Sequence, residues 1–140
     1  MVAHLAGAPA ADSHGRPVEE IVDAARQRLR RLHPIAAHAA MRDGAILVDI
    51  RPHAQQLAEG RIPGALHVER NVLEWRFDPR SEARLPQATG YDLFLIIMCS
   101  QSCASSLAAA SLQDLGLHRA TDLAGGFIAW AHAGLPVLAG

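Results

Sequence analysis

Apolar residues along this chain recur with two different periods, and the change of period outlines its elements. From Pro17 the positions Ile21, Val22, Ala25, Leu29 and Leu32 keep helical spacing, with Glu19, Glu20 and Asp23 early and arginines late, as the helix dipole favours. Pro34 breaks this pattern and starts a second helix, predicted to run to Arg42 and stop at Gly44. Ala45–Ile50 is an apolar run with polar Asp49 and Arg51 at its C-terminal end, which predicts a strand buried on both faces. After the turn signal Ile62-Pro63-Gly64 a short strand is predicted over 65–68. Asn71 can cap a short helix with Leu73 and Trp75, closed by Asp78-Pro79, and residues 80–90 read as a loop. Leu93–Met98 is the strongest candidate for a central strand, and it runs directly into Cys99. Residues 100–104 are small or polar, and a helix is predicted from Ser105 through Leu107, Ala108, Ser111, Leu112 and Leu115 to a stop at Gly116. A last strand over 119–123, a turn at Gly125-Gly126 and a helix from Phe127 to Ala133 complete the pattern.

The length of 140 residues fits one domain. Residues 1–16, small and aperiodic, are expected to be a flexible tail, with the folded domain over 17–140. Half the residues are apolar but only 4% aromatic, so Ala and Leu do most of the packing, which favours α/β over an all-β sandwich. Every basic residue is an arginine, and the net charge is −1. Arg26, Arg28, Arg30 and Arg31 form the densest basic run; with acids just before it, this reads as a solvated helix face, and nucleic acid is not an implied partner. The apolar run 93–98 is far shorter than the roughly 20 residues of a membrane helix. No membrane span is expected. The N-terminus lacks the basic and apolar segments of a secretory signal, and two cysteines do not make a disulfide scaffold, so a cytoplasmic location is the expectation.

In parallel α/β sheets ligands bind beyond the carboxyl ends of strands, where loops lead into helix N-termini. Cys99 occupies such a place. Loop amides there can surround an anion and favour thiolate over thiol. The competing reading is a buried apolar filler. The segment Cys99–Ser105 has no large apolar residue to bury, which favours a pocket lining.

Several segments together resemble a rhodanese-like domain: Leu47–Arg51, Gly60–Ala65, the cysteine loop, Ala108-Ala109 with Leu112 and Gly116, Leu123–Gly126 with Trp130, and Gly134–Pro136. The likeness covers about residues 32–138, in the family's order and spacing. It implies a parallel sheet of about five strands flanked by helices on both faces. It also implies a six-residue loop, Cys99 to Ala104, whose first residue accepts a sulfane sulfur. Cys99 would then be the catalytic nucleophile, with Ser100, Gln101, Ser102, Cys103, Ala104 and Ser105 cradling the persulfide through backbone and hydroxyl donors. The partners implied are a small sulfur donor and a thiol, cyanide-like or protein acceptor; no metal or organic cofactor is needed.

The chain departs from the family pattern at several positions. Ser100 and Ala104 stand where a basic residue is often found, which weakens the case for thiosulfate as donor. Ser102 replaces a usual glycine, and costs on the order of 1 kcal/mol if its φ is positive. Cys103 could resolve a persulfide or sulfenic acid on Cys99, or simply fill space. Asp49 and Arg51 are expected to pair structurally with loop groups, and Arg70 or Arg76 could replace the loop's missing charge. His67 reads as a hydrogen-bonded core residue before a general base. The leading expectation is a sulfurtransferase. A weak or silent sulfur-carrier or interaction module, a thiol-redox protein using Cys99 and Cys103, and, least favoured, a phosphatase or arsenate reductase remain as rivals.

Overall fold

The structure, a computed structural model, describes residues 14–140; most of the tail expected over 1–16 lies outside them. The two apolar runs form adjacent central strands, β1 (Ile46–Asp49) and β3 (Leu95–Met98), paired in parallel from Ile46 beside Leu95 to Asp49 beside Met98. The short β2 (Leu66–His67) flanks β1 and β4 (Thr121–Asp122) flanks β3, so the strand order is β2-β1-β3-β4 with every pairing parallel. Four strands are thus present among the described residues, near the five or so expected. Leu32 adds one parallel bridge to Leu123 beyond the β4 edge.

Because successive side chains on a strand face opposite ways, the continuous apolar runs feed two cores at once. Val48, Leu95 and Ile97 face one layer with Leu29 of α1 (Val18–Gln27 and its exit), Leu73 and Phe77 of α4 (Leu73–Phe77), and Ala108, Ala109 and Leu112 of α5 (Cys103–Asp114). Leu47, Ile96 and Met98 face the other layer with Ala37 of α2 (Pro34–Arg42) and with Phe127 and Trp130 of α6 (Gly126–His132). Small residues on α5 let it lie close to the sheet, and its alanines 108 and 109 are fully buried.

One helix escapes the hydrophobic pattern: α3, His53–Glu59, between β1 and β2. Its buried residue is a glutamine, Gln56, whose Nε2 donates to the Arg51 carbonyl at 3.1 Å, while Leu57 is exposed. Pro52 precedes it, and Gly60 at φ 109° ends it.

Candidate active site

Cys99 follows the last residue of β3 and is half-buried on the wall of a cleft of about 470 Å³. The cleft is lined on its other sides by Ile50, Pro52, His53 and Gln55 after β1 and by Glu69, Arg70 and Asn71 before α4. The loop continues through Ser100, Gln101 and Ser102, and α5 begins at Cys103, two residues earlier than the spacing predicts.

The reason is Ser102. Its φ of 81° and ψ of 8° make it the one non-glycine residue in the left-handed region among the described residues. That turn aims the Ser102 N–H at Cys99, donating to Sγ over 3.1 Å. An N–H aimed at the sulfur stabilises negative charge on it, and the first N–H groups of α5, which have no intrahelical acceptor, add to the same field. The loop carbonyls turn the opposite way: Cys99 O and Ser100 O accept from Phe127 N (2.9 Å) and Ile128 N (3.2 Å) in the first turn of α6. Gly126 makes this docking possible, since a Cβ there would lie 2.4 Å from Ser100 O and 2.5 Å from Cys99 O. With these carbonyls pinned on α6, the Ser102 N–H is left free to point at the sulfur.

Two hydrogen-bonded clusters hold the loop. In front, Arg51 is fully buried and forks onto Asp49 through Nε (3.0 Å) and Nη2 (2.8 Å), while donating to Glu59 Oε1 (3.0 Å) and Gly60 O (2.8 Å). Its guanidinium also lies 4.3 Å above the Phe127 ring. Burial opposes that charge, but the hydrogen bonds and charges of Asp49 and Glu59 outweigh it and raise the Arg51 pKa above its ordinary value. Glu59 in turn accepts from Ser100 Oγ at 3.0 and 3.1 Å, which fixes the second loop residue.

Behind the loop, Ser102 is held from three elements. Its Oγ accepts from Gly125 N at 3.2 Å, and its carbonyl accepts from Arg26 Nη2 of α1 at 3.2 Å. Ser106 Oγ accepts from Arg26 Nε (3.0 Å) and lies within reach of both Ser102 O (2.9 Å) and Asp122 Oδ2 (2.7 Å), so its single proton serves one of them at a time. The Asp122 carboxylate, 0% exposed, also accepts from Ser105 Oγ (2.8 Å) and from Arg31 Nε (2.8 Å).

The expected site residues therefore divide. Cys99 and Ala104 face the cleft. Ser102 and Ser105 are buried supports, and Ser100 is tied to Glu59; Gln101 and Cys103 are exposed. Cys103 Sγ lies 3.9 Å from Arg26 Nη2, toward α1. Asp49 and Arg51 pair with each other rather than with loop groups, and the link from this pair to the loop runs through Glu59 to Ser100. Arg76 does not join them: its Nη1 donates to Ala83 O within the 80–90 loop, and the arginines on the cleft wall are Arg51 and Arg70, the latter ion-paired to Glu74 at 2.9 Å. His67 is exposed, its Nε2 3.1 Å from the Arg51 carbonyl. Sequence reasoning missed Glu59 and Asp122, although the Pro52 and Gly60 punctuation was available for α3. The basic run is a solvated face only in part, since Arg28 and Arg30 are exposed while Arg26 and Arg31 are half-buried. Arg26 reaches the loop, Arg28 pairs with Asp114 and Arg31 with Asp122.

The family model for the rhodanese-like domain matches residues 34–133. A sulfurtransferase of Allochromatium vinosum is 35% identical over 97 residues, covering 69% of this chain and 81% of its own length. A thiosulfate sulfurtransferase, GlpE, of Stutzerimonas stutzeri is 36% identical over 104 residues, covering 74% and 85%. A solved protein of unknown function from Rhodopseudomonas palustris, described as a possible tyrosine phosphatase, superposes with a TM-score of 0.80 at 31% identity, covering 94% of this chain and 99% of that one. The polysulfide-sulfur transferase of Wolinella succinogenes shares the fold, with a TM-score of 0.66 at 20% identity, covering 86% and 85%. With the family match spanning the sheet, the cysteine loop and α6, this chain belongs to the rhodanese-like family.

Proposed function

We propose that this protein is a sulfurtransferase that carries a sulfane sulfur on Cys99. The observation that carries the reading is the Ser102 N–H on Cys99 Sγ at the wall of the cleft, in a loop whose Cys99 and Ser100 carbonyls are bound by α6 and whose Ser102 carbonyl is bound by Arg26 and Ser106. The Cys99 thiolate attacks the outer sulfur of a donor RS–SH, the S–S bond of the donor breaks, RS⁻ leaves, and the new Cys99–S–SH loses its proton to become a persulfide anion held by loop amides. A thiophilic acceptor, thiol or cyanide-like, then takes the outer sulfur and returns the Cys99 thiolate. A protein thiol is an equally suitable acceptor at this open cleft.

Two features favour a persulfide over thiosulfate as the donor. No loop residue from Ser100 to Ala104 is basic, and the Glu59 carboxylate is hydrogen-bonded to Ser100 Oγ. Both disfavour a dianion at the loop. The same argument weighs against phosphate-ester hydrolysis, which relies on cationic donors around the transferring phosphoryl group. A Cys99–Cys103 redox pair is less supported, because Cys103 is directed toward Arg26 and does not line the cleft. The two free cysteines suit a reducing cytoplasm. Among the described residues no helix is long and apolar enough to cross a membrane.

Steady-state transfer to cyanide and to a small thiol tests the reading. A low-molecular persulfide donor should give a higher kcat/KM than thiosulfate, and Cys99→Ser should abolish both. Transfer that survives Cys99→Ser would overturn it.

A further inference from the structure

At the opposite end of the sheet from Cys99, a second cleft of about 490 Å³ opens where β3 and β4 begin. Its lining includes Arg28, Arg30, Phe94, Arg119 and Thr121. Nothing in the sulfur chemistry above uses it.

Three observations describe what it could hold. First, three guanidinium groups meet there in a chain of net charge −1. Two are partly engaged: Arg28 with Asp114 at 2.6 Å, and Arg119 with the Asp92 carbonyl at 3.1 Å while its Cζ lies 4.9 Å over the Phe94 ring. Arg30 is exposed and, among the described residues, makes no hydrogen bond or ion pair. The nearby acids are Asp114 and Asp92, the latter also bonded to His118 Nε2 at 2.8 Å. Three guanidiniums against two carboxylates leave the cleft cationic, and Arg presents a planar fork suited to oxyanions. Second, Thr121 is only 2% exposed, and its Oγ1 is the one buried side-chain polar atom among the described residues with no hydrogen-bond partner. Thr121 pairs with Ile96, so its side chain shares the sheet face of Ile96 and Phe94, and both Phe94 and Thr121 line the cleft. A buried hydroxyl left unpaired costs stability, so Thr121 calls for a partner that the described residues do not supply. Third, Leu32 and Phe94 supply an apolar wall beside these donors.

We infer that this cleft binds a small organic oxyanion, a carboxylate or a phosphate ester on an apolar body of about one ring, with Arg30 and Arg119 on the oxyanion and the Thr121 hydroxyl as an added donor. The volume matches ordinary small-ligand pockets. The site is independent of the Cys99 cradle.

Titration of the full chain with phenyl phosphate and, separately, benzoate, followed by amide chemical shifts, tests this and distinguishes the two head groups. At least one probe should give saturable shifts at Phe94, Gln113, Arg119 and Thr121 below about 10 mM, with none at Ser102. Arg30→Glu should weaken that probe by about tenfold or more, while Cys99→Ser leaves it unchanged. Thr121→Val should weaken it several-fold yet hold or raise the melting temperature of the free protein, the mark of a hydroxyl kept for a ligand. Shifts that fail to saturate with both probes, or saturable binding that survives Arg30→Glu and Arg119→Glu together, would overturn the inference.

Discussion

The two clusters that hold the cysteine loop do the same job with different chemistry. In front, Asp49, Arg51 and Glu59 form a dense ion-pair network whose guanidinium is sealed from solvent, and it touches the loop at a single hydroxyl, Ser100. Behind, hydroxyls predominate, with one buried carboxylate, Asp122, and two arginines arriving from α1 and its exit. The front cluster fixes the ends of β1 and α3. The rear cluster fixes the conformation of Ser102, the residue that donates to the sulfur. A loop with no basic residue of its own thus takes its cations from outside, aimed at backbone carbonyls and carboxylates away from the sulfur.

If this division holds, stability and chemistry should separate on mutation. Arg51→Met should have the largest effect on stability, about 3–5 kcal/mol, because it strands the buried Asp49 carboxylate; denaturant unfolding measures it. Asp122→Asn should cost about 2–3 kcal/mol, since one carboxylate is acceptor for Arg31, Ser105 and Ser106 at once. Ser102→Gly should be more stable than Ser102→Ala by about 1 kcal/mol. Both lose the acceptor for Gly125 N–H, and only glycine relieves the φ of 81°. Arg26→Met should cost less than about 1 kcal/mol in stability yet slow single-turnover sulfur uptake by about three- to tenfold, through a less fixed Ser102 N–H.

The smallest effect belongs to Glu74, outside both clusters, where the sign of the pH dependence is fixed. Its partial burial disfavours the carboxylate, but hydrogen bonds from Ser111, from its own backbone N–H and from Arg70, with the Arg70 charge, lower its pKa below the ordinary 4.5. A carboxyl group with a depressed folded-state pKa stabilises fully above its unfolded value and loses that contribution as pH falls through the folded value. Glu74→Gln should therefore cost about 0.5–1 kcal/mol at neutral pH, with the difference from wild type shrinking as pH falls through the lowered folded-state value.

The strands and most helices were legible because apolar runs and helical spacing reflect burial, and burial built them; Leu95–Met98 is buried at every position. The α3 helix was not legible, because what it buries is Gln56 rather than an apolar stripe. Cys99 was legible from its place at a strand end. Its supports were only half so. Arg26 reaches Ser102 across 76 positions and Arg31 reaches Asp122 across 91, and periodicity within a helix says nothing about partners that far apart. Arg76 and Arg70 lie on one short segment and only geometry separates them, one turned to Ala83 and the other to the cleft.

The central claim, that the loop holds a transferable sulfur on Cys99, is tested most directly by peptide mass spectrometry after brief incubation with a low-molecular persulfide. The expected result is a gain of about 32 Da, one sulfur atom, on the peptide bearing Cys99, present in wild type and Cys103→Ser, absent in Cys99→Ser, and removed by a small thiol. An unmodified Cys99, or an adduct that follows Cys103 instead, would contradict it.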